Sequence, residues 1–262
     1  MRDPYYYSTF QPVFGAPAEF FCKMRPDAGV RVASLLYLRG KSGILNKKQQ
    51  ENAMHTFSTL PAAEGFRMPA EYEPHRGCVM IWPVRPGSWL YGGRDAQPAF
   101  AQAARAIAES ETVWMLAGPA DAGAVQAEFA GDENIHVLTI ETDDAWARDV
   151  GPTCVVDDHG TVRGVDWQFN AWGGMVDGLY AHWEKDNAAA RAICAALGMD
   201  CYDAQHFVLE GGSIHSDGEG TILATEACLL SRGRNPELSR AEIEQELKNY
   251  LIRGAGRTDT IT

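Results

Sequence analysis

Apolar and polar positions alternate in short blocks over the central part of the chain, and these blocks predict strands and helices in turn. Apolar runs of about five residues, bounded by glycine, proline or charge, indicate buried strands. Ala-rich stretches between them favour helices, and Pro98 suits the first turn of one of these. The predicted strands are residues 79–83, 112–116 and 136–140, and the predicted helices are residues 98–109 and 121–129. Such an alternation is typical of an α/β domain.

The pattern changes after residue 150, where paired strands replace single ones. Polar turns at residues 157–160 and 216–220 predict two β-hairpins. Their arms are residues 154–156 with 162–169, and residues 207–215 with 221–225. A helix follows each hairpin, at residues 185–197 and 239–251. In the second helix Ser239 and Glu242 form a capping-box pair, and one face is apolar at Ile243, Leu247, Tyr250 and Leu251.

The first 53 residues differ in composition from the rest. They carry eight Lys or Arg and four Asp or Glu, a net charge of +4, so the remainder of the chain carries −16. No period of 2 or 3.6 residues runs through them. We interpret residues 1–53 as an atypical extension. Two explanations stay open: a loosely ordered arm, or upstream sequence read from a mistaken start, since Met54 itself resembles a natural start.

Charge and motif content exclude several classes of function. A formal charge of −12 argues against nucleic-acid and anionic-membrane partners, which require a basic face, and favours a small cationic ligand. No apolar run reaches the roughly 20 residues that span a bilayer. The six cysteines form no CxxC pair, and most are predicted to be buried thiols. Nucleotide-binding GxGxxG and zinc-protease HExxH motifs do not occur in the sequence.

A first candidate site lies in the acidic segment at residues 143–152, directly after a predicted strand. Asp143, Asp144 and Asp149 supply carboxylates, and Trp146 supplies a large aromatic face. Paired carboxylate oxygens accept parallel N–H bonds from a planar guanidinium, and an indole adds a cation–π attraction. The alternative is a solvated acidic turn in which Arg148 pairs with a neighbouring aspartate.

A second candidate site is the segment at residues 209–215, in which Glu210 precedes Gly211 and Gly212. The glycines allow close approach of a ligand or another backbone. Glu210 is either a catalytic acid or a strand-end residue in water, and His215 is either a ligand or a hydrogen-bonded structural histidine. A third segment, residues 169–174, is a Gly-rich loop shaped for ligand approach or a simple turn. All of these alternatives stay open on residue types alone.

Together these segments resemble the agmatine deiminases and their relatives among the bacterial peptidylarginine deiminases. The similarity extends from about residue 57 to residue 251. The motifs that carry it are GFRMPAEYEPH (65–75), DAWARDVGP (144–152), GVDW (164–167), FNAWGG (169–174) and LEGGSIH (209–215). On this resemblance, residues 54–251 are a partial agmatine deiminase domain, and residues 252–262 are a tail outside the family.

The resemblance implies an α/β fold of the pentein type, a five-bladed propeller of strand-strand-helix-strand units, with about three blades in this chain. It implies hydrolysis of agmatine to N-carbamoylputrescine and ammonia, a step of putrescine biosynthesis in the cytoplasm. In that mechanism a cysteine thiolate attacks the guanidinium carbon, ammonia leaves, and water cleaves the amidino-cysteine intermediate. No metal or organic cofactor is needed. Family members often associate, so a homo-oligomer is implied as well.

Three residues take roles by motif. Asp149 binds the guanidinium nitrogens, Glu210 is the second acidic group, and Trp146 forms a wall of the pocket. The family's catalytic histidine lies in a Gly-His-Val-Asp-Asn type motif and its nucleophile in a Gly-Gly-Gly-Asn-Ile-His-Cys type motif, and neither occurs in these 262 residues. We therefore expect the chain alone to be inactive. Three alternatives remain: a deiminase of peptidyl or free arginine, a guanidinium-binding remnant, and a truncated gene product.

Overall fold

The computed structural model describes residues 54–253. The predicted extension at residues 1–53 lies outside the described residues, as does the tail beyond residue 253. The strands are β1 (Thr56–Phe57), β2 (Gly77–Ile81), β3 (Thr112–Ala117), β4 (Ile135–Thr139), β5 (Thr153–Val156), β6 (Val162–Gln168), β7 (Cys201–Val208), β8 (Ile214–Ser216) and β9 (Ile222–Ala224). The helices are α1 (Gln97–Ala108), α2 (Ala122–Glu128), α3 (Ala147–Val150), α4 (Gly174–Asp177), α5 (Glu184–Leu197), α6 (Glu226–Leu229) and α7 (Arg240–Leu251).

The first sheet is parallel, with the order β2-β3-β4. Its strands and the helices α1 and α2 lie within two residues of the predicted positions. Parallel pairing requires a crossover between strands, and the two helices provide it. Val113 and Met115 of β3 are fully buried beneath Ala101, Ala104 and Val125 of the helices. Small alanine side chains allow the helices to approach the sheet closely.

The second sheet has the order β1-β7-β6-β5 and mixes both kinds of pairing. The antiparallel β5–β6 hairpin confirms the first predicted hairpin. Strand β6 then pairs in parallel with β7, and α5 forms the crossover between them. Val165 and Tyr202 stand opposite each other in this pair and are both fully buried. Strand β1 adds to the far side of β7, also in parallel.

The second predicted hairpin is only partly correct. The sequence predicts one strand over residues 207–215, whereas β7 ends at Val208 and a 3₁₀ turn, Gly211–Ser213, separates it from β8. The amide of Asn235 accepts from the Val208 N–H at 3.0 Å and donates to its carbonyl at 2.9 Å, in place of a neighbouring strand. Strands β8 and β9 then form a short antiparallel sheet of their own. The side-chain-free Gly211 and Gly212 permit the break.

Helix α7 confirms its sequence prediction. Ser239 Oγ accepts from the Glu242 N–H at 3.3 Å, and the Glu242 carboxylate accepts from the Ser239 N–H at 2.7 Å. The predicted apolar residues are buried in the core beneath the second sheet. Ile252, just beyond the helix, is also buried in this core. Within residues 54–253, no helix has the length and apolar character needed to cross a bilayer.

Candidate functional site

Three chain segments that follow strands converge on one place. Helix α3 follows β4, the loop at residues 169–174 follows β6, and the Gly211–Ser213 turn follows β7. A Cβ atom on Gly211 would lie 2.3 Å from the Arg148 carbonyl oxygen, and one on Gly212 would lie 2.3 Å from Asp149 Oδ1. The two glycines are therefore required for the turn to pack against α3. This explains why a Gly-Gly pair follows Glu210.

Asp149 projects from α3 towards this turn and is half-buried. Its Oδ1 accepts from the Gly212 N–H at 3.0 Å, and its Oδ2 accepts from the indole N–H of Trp172 at 3.2 Å. Burial raises the pKa of Asp149, opposed by these two hydrogen bonds and by the charges of Arg148 and Arg234. The carboxylate is thus held in one orientation and lies in an environment that favours binding of a cation.

Glu210 lies next to Asp149 and is 2% exposed. Arg234 donates from Nε to Glu210 Oε1 at 2.6 Å, and the exposed fraction of both side chains is below one tenth. Burial raises the pKa of Glu210, Arg234 opposes that rise, and the nearby Asp149 adds to it. The interpretation of Glu210 as a strand-end residue in water is therefore wrong, because the side chain is buried and paired.

The loop at residues 169–174 has a left-handed backbone at two residues that carry side chains, Ala171 with φ 55° and Trp172 with φ 64°. Such values are rare for bulky residues and store local strain. Arg234 Nη1 donates to the Trp172 carbonyl, and Asn170 donates from its side chain to the Gly233 carbonyl at 2.8 Å. These contacts hold the indole N–H on Asp149, so the loop is a specific support and not a simple turn.

Trp146 supplies an aromatic surface beside the carboxylates. It remains 41% exposed although it packs edge-to-face on Trp172, with ring centroids 6.0 Å apart. The ring centroid of Trp89 lies 5.8 Å from that of Trp146. A partly exposed indole near the half-buried Asp149 carboxylate offers a face to an incoming cation.

Two other carboxylates of the acidic segment serve local structure. Asp144 is buried and accepts from Ser88 and from the indole N–H of Trp89, the latter at 2.8 Å. Asp143 accepts from the Lys185 N–H at 3.0 Å, at the start of α5. These contacts anchor the segment that carries Asp149. Sequence reasoning missed Ser88 and Trp89, which lie in an irregular segment without a motif of its own.

The alternative of a solvated acidic turn, in which Arg148 pairs with a neighbouring aspartate, is wrong. The Arg148 guanidinium donates to Glu71 at 3.1 Å and to the Gly211 carbonyl at 3.0 Å, not to a neighbouring aspartate. His215 is exposed, and its Nδ1 lies 3.6 Å from Glu71, so the prediction of a hydrogen-bonded structural histidine is not confirmed.

The described cysteines lie elsewhere. Cys194 and Cys201 are buried within the second sheet and α5, whereas Cys154 is exposed and Cys78 and Cys228 are half-buried. The prediction that most cysteines are buried is therefore wrong for the described residues. None of these five thiols forms a hydrogen bond with Asp149 or Glu210.

Comparison with known proteins identifies the family. A profile described as Porphyromonas-type peptidyl-arginine deiminase matches residues 67–255. The agmatine deiminase of Pseudomonas aeruginosa is 53% identical over 194 residues, which cover 74% of this chain and 52% of that protein. The agmatine deiminase of Ectopseudomonas mendocina is 52% identical over 198 residues, 76% of this chain and 54% of that protein. The chain thus spans about half the length of the curated relatives it matches.

A solved structure gives the same result. The agmatine deiminase of Enterococcus faecalis superimposes with a TM-score of 0.74 at 45% identity, over 79% of this chain and 55% of that one. The α/β fold of the pentein type, predicted from the sequence, is confirmed; the described residues form three separate sheets and no closed barrel. The chain belongs to the Porphyromonas-type peptidyl-arginine deiminase family.

Proposed function

We propose that this chain contributes the guanidinium-binding half of an agmatine deiminase site. The reaction is agmatine plus water to N-carbamoylputrescine plus ammonia. Relatives named agmatine deiminase, at more than 50% identity, support this activity. The observation that carries the proposal is the Asp149 carboxylate, which two donors hold in a fixed position beside an exposed indole.

Asp149 binds the guanidinium in this proposal. The Gly212 and Trp172 donors each use one lone pair of the carboxylate, and both oxygens retain capacity for the parallel N–H bonds of a guanidinium. Ionic pairing keeps the guanidinium protonated and its carbon electrophilic. Because the cation binds the ionised form of Asp149, affinity falls as the pH drops through the raised pKa of this group.

Trp146 and Glu210 complete the described side of the site. The Trp146 face attracts the cation and excludes water from one side of it. Glu210 is the second acidic group, and its pairing with Arg234 leaves it with less net attraction for a cation than Asp149 has. We assign Glu210 to positioning the guanidinium and to taking part in proton movement when ammonia leaves.

The chemical step also requires a thiolate and a proton carrier. The family's histidine and cysteine motifs are not among the 262 residues, and no described thiol contacts the carboxylates. We therefore propose that the chain by itself binds agmatine without turning it over. No metal or organic cofactor enters the proposal, and a homo-oligomer stays a prediction.

Agmatine fits the described site better than arginine does. Free or peptidyl arginine carries a carboxyl group or a peptide linkage where agmatine carries an ammonium group. Of the arginines near the carboxylates, Arg234 is engaged by Glu210 and the Trp172 carbonyl, and Arg148 by Glu71 and the Gly211 carbonyl. Both guanidinium groups already have carboxylate and carbonyl partners, which favours the dicationic ligand.

Calorimetry with agmatine tests the binding proposal. Asp149→Asn should weaken binding about tenfold to a hundredfold, since a hydrogen bond to a charged group contributes about 1.5–3 kcal/mol. Asp132→Asn is the matched control, because Asp132 pairs with Arg105 beside the first sheet and should leave agmatine affinity unchanged. Equal affinity of both variants, or no binding by the parent chain, would refute the assignment of Asp149.

A ureido-product assay with agmatine tests the catalytic half of the proposal. The purified chain should release no N-carbamoylputrescine above the uncatalysed background. Release of product would overturn the expectation of inactivity while supporting the reaction class. A parallel titration with arginine should give weaker binding than agmatine; tighter binding of arginine would favour the arginine deiminase alternative.

A further inference from the structure

Three metal-ligating side chains meet at the amino end of the first sheet. His75 and Cys78 flank the start of β2, and Glu111 directly precedes β3. Gly77 stands opposite Thr112, and a Cβ atom there would lie 2.2 Å from the Thr112 carbonyl oxygen. The glycine therefore lets the two strands approach closely where the three side chains gather. Asp149 follows the opposite, carboxyl end of this parallel sheet, so the cluster is separate from the proposed deiminase site.

The ligand atoms of the cluster have spacings near those of a zinc site. Cys78 Sγ lies 3.8 Å from His75 Nε2 and 3.6 Å from Glu111 Oε1. His75 Nε2 lies 2.7 Å from Glu111 Oε2. A tetrahedral Zn²⁺ with bonds of about 2.0–2.3 Å to nitrogen, oxygen and sulfur separates its ligand atoms by about 3.3–3.6 Å. The two Glu111 contacts involve different carboxylate oxygens, so in a zinc site one oxygen would have to serve as the ligand and the 2.7 Å His75–Glu111 spacing would have to widen.

The imidazole orientation suits metal binding. His75 Nδ1 lies 3.4 Å from the Glu73 carbonyl oxygen, so in the tautomer with the proton on Nδ1 the Nε2 lone pair is directed towards Cys78 and Glu111. A backbone carbonyl on the second ring nitrogen is a usual support of a metal-bound histidine. Glu111 Oε2 is shielded from solvent, and its polar neighbour is His75 Nε2 at 2.7 Å. A metal ion bound here would take the place of a proton between Nε2 and Oε2.

We propose that His75, Cys78 and Glu111 bind one Zn²⁺, with water as the fourth ligand. A thiolate and a carboxylate balance the charge of the dication, and the ligand set matches the borderline softness of zinc. More than half of the His75 side chain is exposed, which leaves an open side for the water. The ion would join the amino ends of β2 and β3 and stabilise their pairing.

Binding must displace the thiol proton. The Cys78 sulfur lies 3.6 Å from Glu111 Oε1, in contact with the carboxylate. Zn²⁺ forms a bond to sulfur while the S–H proton leaves to buffer. The alternative is an imidazolium–carboxylate pair between His75 and Glu111, which explains the 2.7 Å distance without involving Cys78. The two explanations differ in whether sulfur is a ligand.

Cobalt substitution tests for the sulfur ligand. Co²⁺ added to the full chain, prepared without a histidine tag, should give a near-ultraviolet thiolate-to-cobalt absorption that saturates at one equivalent and disappears when Zn²⁺ is added. Cys78→Ser should abolish this absorption. His75→Ala and Glu111→Gln should each weaken Zn²⁺ binding at least about tenfold, the effect that loss of a supporting partner alone produces. Cys228→Ser removes another half-buried thiol and should change nothing.

X-ray absorption of the zinc-loaded parent chain keeps the test independent of how the variants fold. One sulfur at about 2.3 Å with nitrogen and oxygen neighbours at about 2.0–2.2 Å would support the site. A shell without sulfur, retention of the cobalt absorption in Cys78→Ser, or its loss in Cys228→Ser would overturn the proposal.

Discussion

Arg234→Met removes the buried partner of Glu210 and keeps most of the side-chain volume. In the parent chain Arg234 Nε donates to Glu210 Oε1 at 2.6 Å, and Arg234 Nη1 donates to the Trp172 carbonyl. Both partners of the ion pair are more than nine-tenths buried. The substitution therefore leaves a carboxylate without a counter-ion, in a place where solvent cannot replace the lost donor.

Loss of one partner of a buried ion pair costs about 3–5 kcal/mol of the free energy of unfolding. For a chain of this size, about 2–4 °C of melting temperature corresponds to each kcal/mol, so the expected fall is about 6–20 °C. Glu210→Gln combined with Arg234→Met removes the unpaired charge. We expect the double variant to recover more than half of the loss.

The cost depends on pH in a definite direction. Burial raises the pKa of Glu210 above its ordinary value of 4.5, and Arg234 opposes that rise. Without Arg234 the folded-state pKa rises further, so the folded state binds a proton more tightly than the unfolded state does. Stability is then lost as pH rises from about 4.5 through the folded-state pKa. Arg234→Met should therefore be more destabilising at pH 7.5 than at pH 5.

Urea denaturation at both pH values measures these effects. The parent chain, Arg234→Met, Glu210→Gln and the double variant form a double-mutant cycle. Arg105→Met is the matched control, since Arg105 forms exposed pairs that contribute little. A loss below about 1 kcal/mol in Arg234→Met, or the same loss at both pH values, would refute the description of a buried, charged pair.

Three further substitutions test other parts of the structure. Gly212→Ala should lower the free energy of unfolding by about 1–3 kcal/mol and weaken agmatine binding, because the added Cβ meets Asp149. Gly123→Ala is the control, since its Cβ has open space, and it should be neutral or stabilising. Equal effects of the two substitutions would contradict the packing of Gly212 against Asp149. Burial raises the pKa of Asp186 to about 6 from 3.8. Ionisation of Asp186 should therefore remove about 2–3 kcal/mol of unfolding free energy between pH 4 and pH 7. Asp186→Asn should lack this contribution, and the same pH dependence in both chains would contradict the assignment. Ser239→Ala should cost about 1 kcal/mol in urea denaturation by removing the α7 cap, and a loss within error would show that the cap is not formed.

Local signals in the sequence were sufficient for elements whose stability is local. The period of α7 and its Ser239–Glu242 cap both lie within one segment, so the helix was predictable to within one residue. The β5–β6 hairpin has its turn residues between its arms. Strand β7 was harder, because its end depends on Asn235, which lies 27 residues further along the chain.

The candidate site was likewise predictable only where local sequence carries the signal. Asp149, Glu210 and Trp146 belong to motifs recognised in the sequence. The structure brings Asp149 close to Glu210, and Trp146 packs on Trp172, which donates to Asp149. Arg234 belongs to no such motif, and nothing near it in the sequence signals that it pairs with Glu210 across 24 residues. Trp172 was part of a recognised segment, but its left-handed backbone and its bond to Asp149 depend on contacts made only in the folded chain.

The parallel pairing of β1 with β7 affects the order in which the chain can fold during synthesis. The His55 N–H, beside β1, donates to Asp200, which lies 145 residues later. Ribosomes add about 5–20 residues per second, so β1 emerges about 7–30 s before its partner strand. The β2–β3–β4 sheet has a shorter span and can form in that interval. The first strand of the second sheet to be synthesised therefore waits for the strand it pairs with, and the apolar Phe57 has no pairing strand during that interval.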